Sequence, residues 1–167
     1  MNRMKPCLLT AACMMFFFAG MAQPAVGDKA PEIKLKDTKG RVVALSSLQG
    51  KVVLIDFWAS WCGPCRRSNS TLAPIYEKYK AEGFEIYGIS VDEESSDWKE
   101  AIKEDNIKWM QVNDADNAVA AKWNLEVIPT SYLLDKSGKV VAVDPEGGEL
   151  DELIQALLKK RNRQQAK

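Results

Sequence analysis

The segment from Lys51 to Cys65 constrains this chain most. A nearly unbroken apolar run, Lys51-Val52-Val53-Leu54-Ile55-Asp56-Phe57, leads directly into Trp61-Cys62-Gly63-Pro64-Cys65. A run apolar at both odd and even positions reads as a strand covered on both faces, the situation of an interior strand in an α/β sheet. The stretch after it, to about Ala81, reads as a helix, stopped by Gly83. Phe84 to Val91 then reads as a strand and Asp97 to Glu104 as a helix. A polar loop follows through Asn117, then a short helix over Ala118 to Trp123. Ser131 to Leu134 and Val140 to Val143 read as strands joined by the turn Asp135-Lys136-Ser137-Gly138. Glu149 to Lys160 places Leu150, Leu153, Ile154, Leu157 and Leu158 on one helical face. Ahead of all this, Ile33 and Leu35 alternate with lysines. The turn signal Asp37-Thr38-Lys39-Gly40 and a short strand over Val42 to Leu45 complete an added N-terminal hairpin. Strands alternating with helices, closed by a hairpin and a helix, predict an α/β layered fold around one mixed sheet.

The two cysteines sit where the buried strand hands over to the helix. Thiols at this spacing can close a small disulfide ring in which only the first sulfur needs to meet solvent. A helix beginning there points its free N–H groups and the positive end of its dipole at Cys62, favouring the thiolate. Cys62 is therefore expected to attack, and Cys65, one turn in, to resolve the mixed disulfide. Other uses of the pair fit less well. The chain contains no histidine, so two thiols fall short of the four ligands of a zinc site. Arg66 stands where haem attachment would require histidine. A bond across one helical turn staples almost nothing.

Composition narrows the rest. The chain has 167 residues, 46% hydrophobic and 28% charged, the size and balance of one globular domain. Its 23 basic and 23 acidic residues cancel, giving no field that would gather nucleic acid. The absence of histidine removes imidazole as a general base. Residues 1–22 read as a signal peptide. Arg3 and Lys5 precede an apolar run from Cys7 to Ala22, and Gly20 and Ala22 are small residues suited to a peptidase, so cleavage after Ala22 is expected. An uncleaved anchor is the alternative, although the run is shorter than the roughly 18 residues of a typical span. Cleavage would remove Cys7 and Cys13 and leave only the active pair of the four cysteines. Residues 23–160 would then form the domain, with 161–167 a polar tail.

The segment Asp56-Phe57-Trp58-Ala59-Ser60-Trp61-Cys62-Gly63-Pro64-Cys65 resembles the active-site segment of thioredoxins. Val127-Ile128-Pro129-Thr130 resembles the family's cis-proline loop, placed just before the terminal hairpin. The front hairpin and Gly88-Ile89-Ser90-Val91-Asp92-Glu93 resemble the extracytoplasmic TlpA/ResA branch. The resemblance runs from about Gly27 to Lys160 and implies a thioredoxin fold with an N-terminal β-hairpin extension. It implies a cis bond before Pro129 and a peptide-binding surface made by Trp61, Gly63, Pro64, Ile128 and Pro129. Asp56 matches the family's buried carboxylate and would shuttle a proton for Cys65. Glu93 aligns with an acidic residue near the cysteines and is a second catalytic candidate. Trp58 and Trp61 are expected to form an apolar collar around the thiols. The branch commonly carries Glu and then Pro shortly after the second cysteine, whereas this chain has Ser68 and Ser70, and a proline kink would come later, at Pro74.

The expected function is an extracytoplasmic, periplasmic thiol–disulfide oxidoreductase that reduces disulfides in exported proteins. It needs no cofactor and no metal, only its own disulfide. The resemblance further implies recharging by a membrane thiol electron donor, and a monomer is expected. Two other readings compete. A thiol peroxidase would carry threonine three residues before the reactive cysteine, where this chain has Ala59. A Cu(I) metallochaperone would use the two thiols as soft ligands, but no histidine or methionine lies near them.

Overall fold

A computed structural model of the chain describes residues 23–160. The proposed signal segment and the polar tail lie outside those residues. Seven strands form one sheet: β1 (Lys34–Asp37), β2 (Val42–Ala44), β3 (Val52–Trp58), β4 (Phe84–Ser90), β5 (Met110–Asn113), β6 (Thr130–Leu134) and β7 (Val140–Val143). Four helices cover it: α1 (Gly63–Tyr79), α2 (Ser95–Glu104), α3 (Ala118–Lys122) and α4 (Gly147–Lys159). The strand order is β2-β1-β5-β4-β3-β6-β7. β3, β4 and β5 run parallel, and the other neighbours pair antiparallel.

Every residue of β3 is buried, as its unbroken apolar run predicts. The period-2 geometry of a strand divides these side chains between two cores. Val52, Leu54 and Trp58 join α1, α2 and α4 through Leu72, Trp98 and Ile154. Val53, Ile55 and Phe57 join Ile33 and Leu48 from the N-terminal segment, with Trp123 and Tyr132. The aromatic rings of Phe57, Trp123 and Tyr132 meet edge-on or tilted, with centroids 5.0–6.3 Å apart. Asp56 falls on the α1 side, the only charged residue of the strand.

Several features differ from the sequence reading. The stretch read as a polar loop before Asn117 contains β5, inserted between β4 and β1. Gln111 and Asn113 hide the strand from propensity, because its hydrogen bonds come from two distant neighbours rather than from its own composition. The N-terminal hairpin consequently does not stand apart from the sheet, since β1 pairs with β5 through Lys36 and Asn113. Leu45, read as a strand end, instead begins a 3-10 turn over Leu45–Leu48. The first helix ends at Tyr79 rather than near Ala81. A 3-10 turn follows, and Gly83 closes it at φ +97, a conformation that favours glycine. Among the described residues, no helix is long and apolar enough to cross a membrane.

Candidate active site

The carboxyl end of β3 delivers the chain into the start of α1, and the two cysteines sit at that junction. Cys62 is the N-cap, and Gly63 and Pro64 fill the first helical positions, where a missing N–H costs nothing. Cys62 Sγ accepts the Cys65 backbone N–H at 3.2 Å. The two sulfurs are bonded, with Cα atoms 5.2 Å apart. Cys65 is fully buried, whereas Cys62 keeps 5% of its surface, so only Cys62 offers an edge to a partner.

Asp92 holds the loop that carries the pair. This buried carboxylate accepts the Ser60 backbone N–H at 3.0 Å and the Ser60 hydroxyl at 2.6 Å. Ser90 Oγ donates to it at 2.7 Å. The sequence reading passed over Asp92 in favour of its neighbour Glu93. The available signal was the alternation leaving β4, which sends position 92 inward and 93 outward. Glu93 itself is exposed and lines a groove with Trp61 and Ile128.

Arg66 spends its charge away from the thiols. Its guanidinium binds Asp105 through Nε and Nη2, reaches Glu104 at 2.9 Å, and donates to the Ser60 carbonyl at 3.2 Å. Asn69 adds a bond to Asp105 at 2.9 Å. Burial alone would raise the Asp105 carboxyl, but the bonds from Arg66 and Asn69 hold it below its ordinary value. With its charge matched by two carboxylates, Arg66 ties the active-site loop to the end of α2.

Asp56 lies on β3, the strand that leads into the cysteines, and is 4% exposed. Burial first, and the charge of Asp144 second, push its carboxyl up to about 7. The Ile128–Pro129 peptide bond is cis, and Ile128 packs against the core that contains both cysteines. An open groove of about 600 Å³ runs beside this loop, lined by Trp61, Leu125, Val127 and Ile128 and by the carboxylates Glu93, Glu94, Asp97 and Glu126. Trp61 is 70% exposed while Trp58 is wholly buried, its indole N–H donating to Gln111 at 2.9 Å. The expected collar of two tryptophans therefore divides into one core residue and one surface residue.

A sulfur pair closed at a helix start, with one edge exposed and the other sulfur sealed, can exchange its bond with another disulfide but has little else to offer. With this sheet around it, the protein is a thiol–disulfide oxidoreductase of the thioredoxin fold. The AhpC/TSA family profile matches residues 26–143, and the chain belongs to that family. A thiol-disulfide oxidoreductase ResA of Bacillus cereus is 34% identical over 125 residues, covering 75% of this chain and 72% of that one. The crystal structure of the thioredoxin domain of a thiol-disulfide oxidoreductase from Bacteroides vulgatus superposes with a TM-score of 0.76 at 37% identity, covering 80% of this chain and 98% of that one. A thiol:disulfide interchange protein DsbE from Chlorobium tepidum gives 0.76 at 33% identity, covering 81% and 99%.

Proposed function

We propose that this protein is a reductant of disulfides in exported polypeptides, acting outside the cytoplasm behind an N-terminal export segment. The observation that carries the reading is the Cys62–Cys65 bond at the start of α1, with Cys62 keeping a small exposed edge and Cys65 sealed. In the reduced form, Cys62 thiolate attacks a substrate disulfide and forms a mixed disulfide. Asp56 takes the Cys65 proton. Cys65 then attacks Cys62 Sγ and expels the substrate thiolate, which takes a proton from solvent. The substrate backbone lies against Ile128 and Pro129, with Trp61, Gly63 and Pro64 forming the opposite wall, and Glu93 stands at the groove rim as a second acid. The cycle uses no cofactor or metal, only the dithiol. A membrane thiol carrier restores the dithiol, and the protein works as a monomer.

The reducing direction follows from the residues around Cys62. Gly63 and Pro64 offer it no side-chain donor, and Arg66 is committed to Asp105 and Glu104. Arg67 Nη1 would stand 3.7 Å from a Cβ on Gly63, so one cation lies near the turn, and we take that charge to be too little to make the dithiol strongly oxidising. A glutathione redox titration, followed by tryptophan fluorescence, is expected to give a potential of roughly −210 to −290 mV. A value more oxidising than about −160 mV would make the protein an oxidant of exported thiols. Cys65→Ser is expected to accumulate covalent adducts with substrate proteins and to release none, whereas Cys62→Ser forms no adduct. Faster alkylation of Cys65 than of Cys62 in the reduced protein would reverse the assignment.

A further inference from the structure

Asp56 belongs to a polar row that crosses the sheet on its α1 face. In the register of β3 with β6, Asp56 stands opposite Ser131. Across the next pairing Ser131 meets Asp144, which donates its N–H to the Ser131 carbonyl at 2.8 Å and accepts the Ser131 N–H on Oδ1. Residues directly opposite in an antiparallel ladder point to the same face, so Asp56, Ser131 and Asp144 line up on one side. The row ahead of it, Leu54, Leu133 and Ala142, is apolar and packs into the core. At the polar row the packing opens instead into a cavity of about 200 Å³, lined by Asp56, Ser68, Leu72, Pro129, Asp144 and Glu146 among others. Ser68 enters it from α1, one turn beyond Cys65. Asp144 is exposed, so the row runs from the buried carboxyl to solvent.

The Asp56 carboxyl makes no hydrogen bond to any described residue, and the cavity it faces is polar and large enough for several waters. The groups facing it are few. α1 offers Ser68, β6 offers Ser131, and the opposite residue on β4 is Gly88, without charge. Asp144 and Glu146 stand at the outer end, and no lysine or arginine lines the cavity.

We propose that the cavity is the proton route between Asp56 and solvent, and that Asp144 is its outer positioning residue. The proposal rests on the thiol cycle above and extends its resolving step. Cys65 S–H gives its proton to the Asp56 carboxylate. Cys65 thiolate attacks Cys62 Sγ, so the intramolecular disulfide forms, the mixed disulfide breaks and the substrate disulfide ends reduced. The proton on Asp56 leaves through the cavity past Asp144, resetting the base. Burial first, and the negative charge of Asp144 second, keep Asp56 basic enough to take a thiol proton near neutrality, which a free carboxyl would not do.

A single turnover of the reduced full chain with 5,5′-dithiobis(2-nitrobenzoate) separates the steps. Attack by Cys62 releases the first thionitrobenzoate, and resolution by Cys65 releases the second. Asp144→Asn keeps an acceptor for the Ser131 N–H, and asparagine tolerates the φ of +49 found there. With the first release as internal reference, this variant is expected to move the pH midpoint of the second release down by about half a unit or more. The shift should vanish in an Asp56→Asn background. Ser68→Leu, which plugs the cavity from the α1 side, should slow the second release relative to the first by about tenfold, and it decides the matter if Asp144→Asn misfolds. An unmoved midpoint in Asp144→Asn, a shift that persists without Asp56, or an undisturbed second release in Ser68→Leu overturns the route. Absence of any second release in the wild type overturns the thiol cycle itself, and the proposal with it.

Discussion

Asp56 carries a stability cost that follows directly from its position. Its carboxyl moves from the ordinary 3.8 to about 7, because burial disfavours the charge and Asp144 adds repulsion. Between about pH 4 and pH 7 the folded protein holds a proton that the unfolded chain has released. Stability therefore falls as pH rises through that window and is level above it. At pH 8 the charged form costs about 4 kcal/mol. Asp56→Asn removes this cost, so the variant is expected to melt higher than wild type at pH 8, with the gap closing toward pH 4. Thermal melts of the oxidised proteins across that range check it, and a gap independent of pH would show that Asp56 is not neutralised by burial. The same variant should slow the resolving step, so stability and activity move in opposite directions at one atom group. That trade is what a carboxyl kept for proton transfer predicts.

Among the elements, β3 and the start of α1 aim the chemistry, but their neighbours hold them in place. Asp92 fixes the loop through Ser60, and Arg66 ties the same loop to α2 through Asp105. β4 contributes in a less visible way, by leaving out a side chain at Gly88. The Gln111 amide from β5 lies across Gly88 to reach the indole of Trp58, and a Cβ on Gly88 would come within 2.1 Å of Gln111 Nε2. Gln111 is buried, and swinging its amide aside would break its bond to Trp58. Gly88→Ala is expected to destabilise the fold by about 2 kcal/mol, as overpacking does in a close-packed core. A denaturant melt gives the number. An unchanged midpoint would mean that Gln111 can swing aside at no cost.

For the molecule as a whole, exposed large apolar side chains occur at several places on the described surface, Val26 and Val42 among them, but two gather beside the disulfide. Trp61 is 70% exposed and Val127 is 66% exposed, two large apolar side chains flanking one groove beside the reactive sulfur. Exposed apolar groups gathered at a reactive centre mark a partner surface rather than unfinished core. Trp61→Ala should lower kcat/KM for a protein disulfide such as insulin by about tenfold, the scale of losing one aromatic anchor. The loss for a small disulfide such as oxidised glutathione should be less, because a small molecule spans less of the groove. Equal losses for both would place Trp61 in the chemistry instead of in docking. The melting temperature should change little, since an exposed side chain leaves few contacts behind.

The residues of β3 by themselves announced a strand buried on both faces, because no other element tolerates apolar side chains at every position next to a helix start. The cysteine spacing announced an exchangeable disulfide for a similar local reason, since helix geometry sets the reach between the sulfurs. The terminal hairpin and α4 were legible from turn residues and helical periodicity. What could not be read locally depends on pairings between distant segments. β5 is a strand because β1 and β4 flank it, and Trp58 is core while Trp61 is surface because one ends the buried strand and the other lies in the turn. Arg66 is bound to Asp105, and so unavailable to the thiols, only because α2 ends beside α1. Asp144 meets Asp56 only through the registers of β3, β6 and β7, which no stretch of neighbouring residues encodes. Local sequence determined where the thiols sit and how they react. Tertiary packing decided which carboxylates surround them, because electrostatics acts through space and takes no account of distance along the chain.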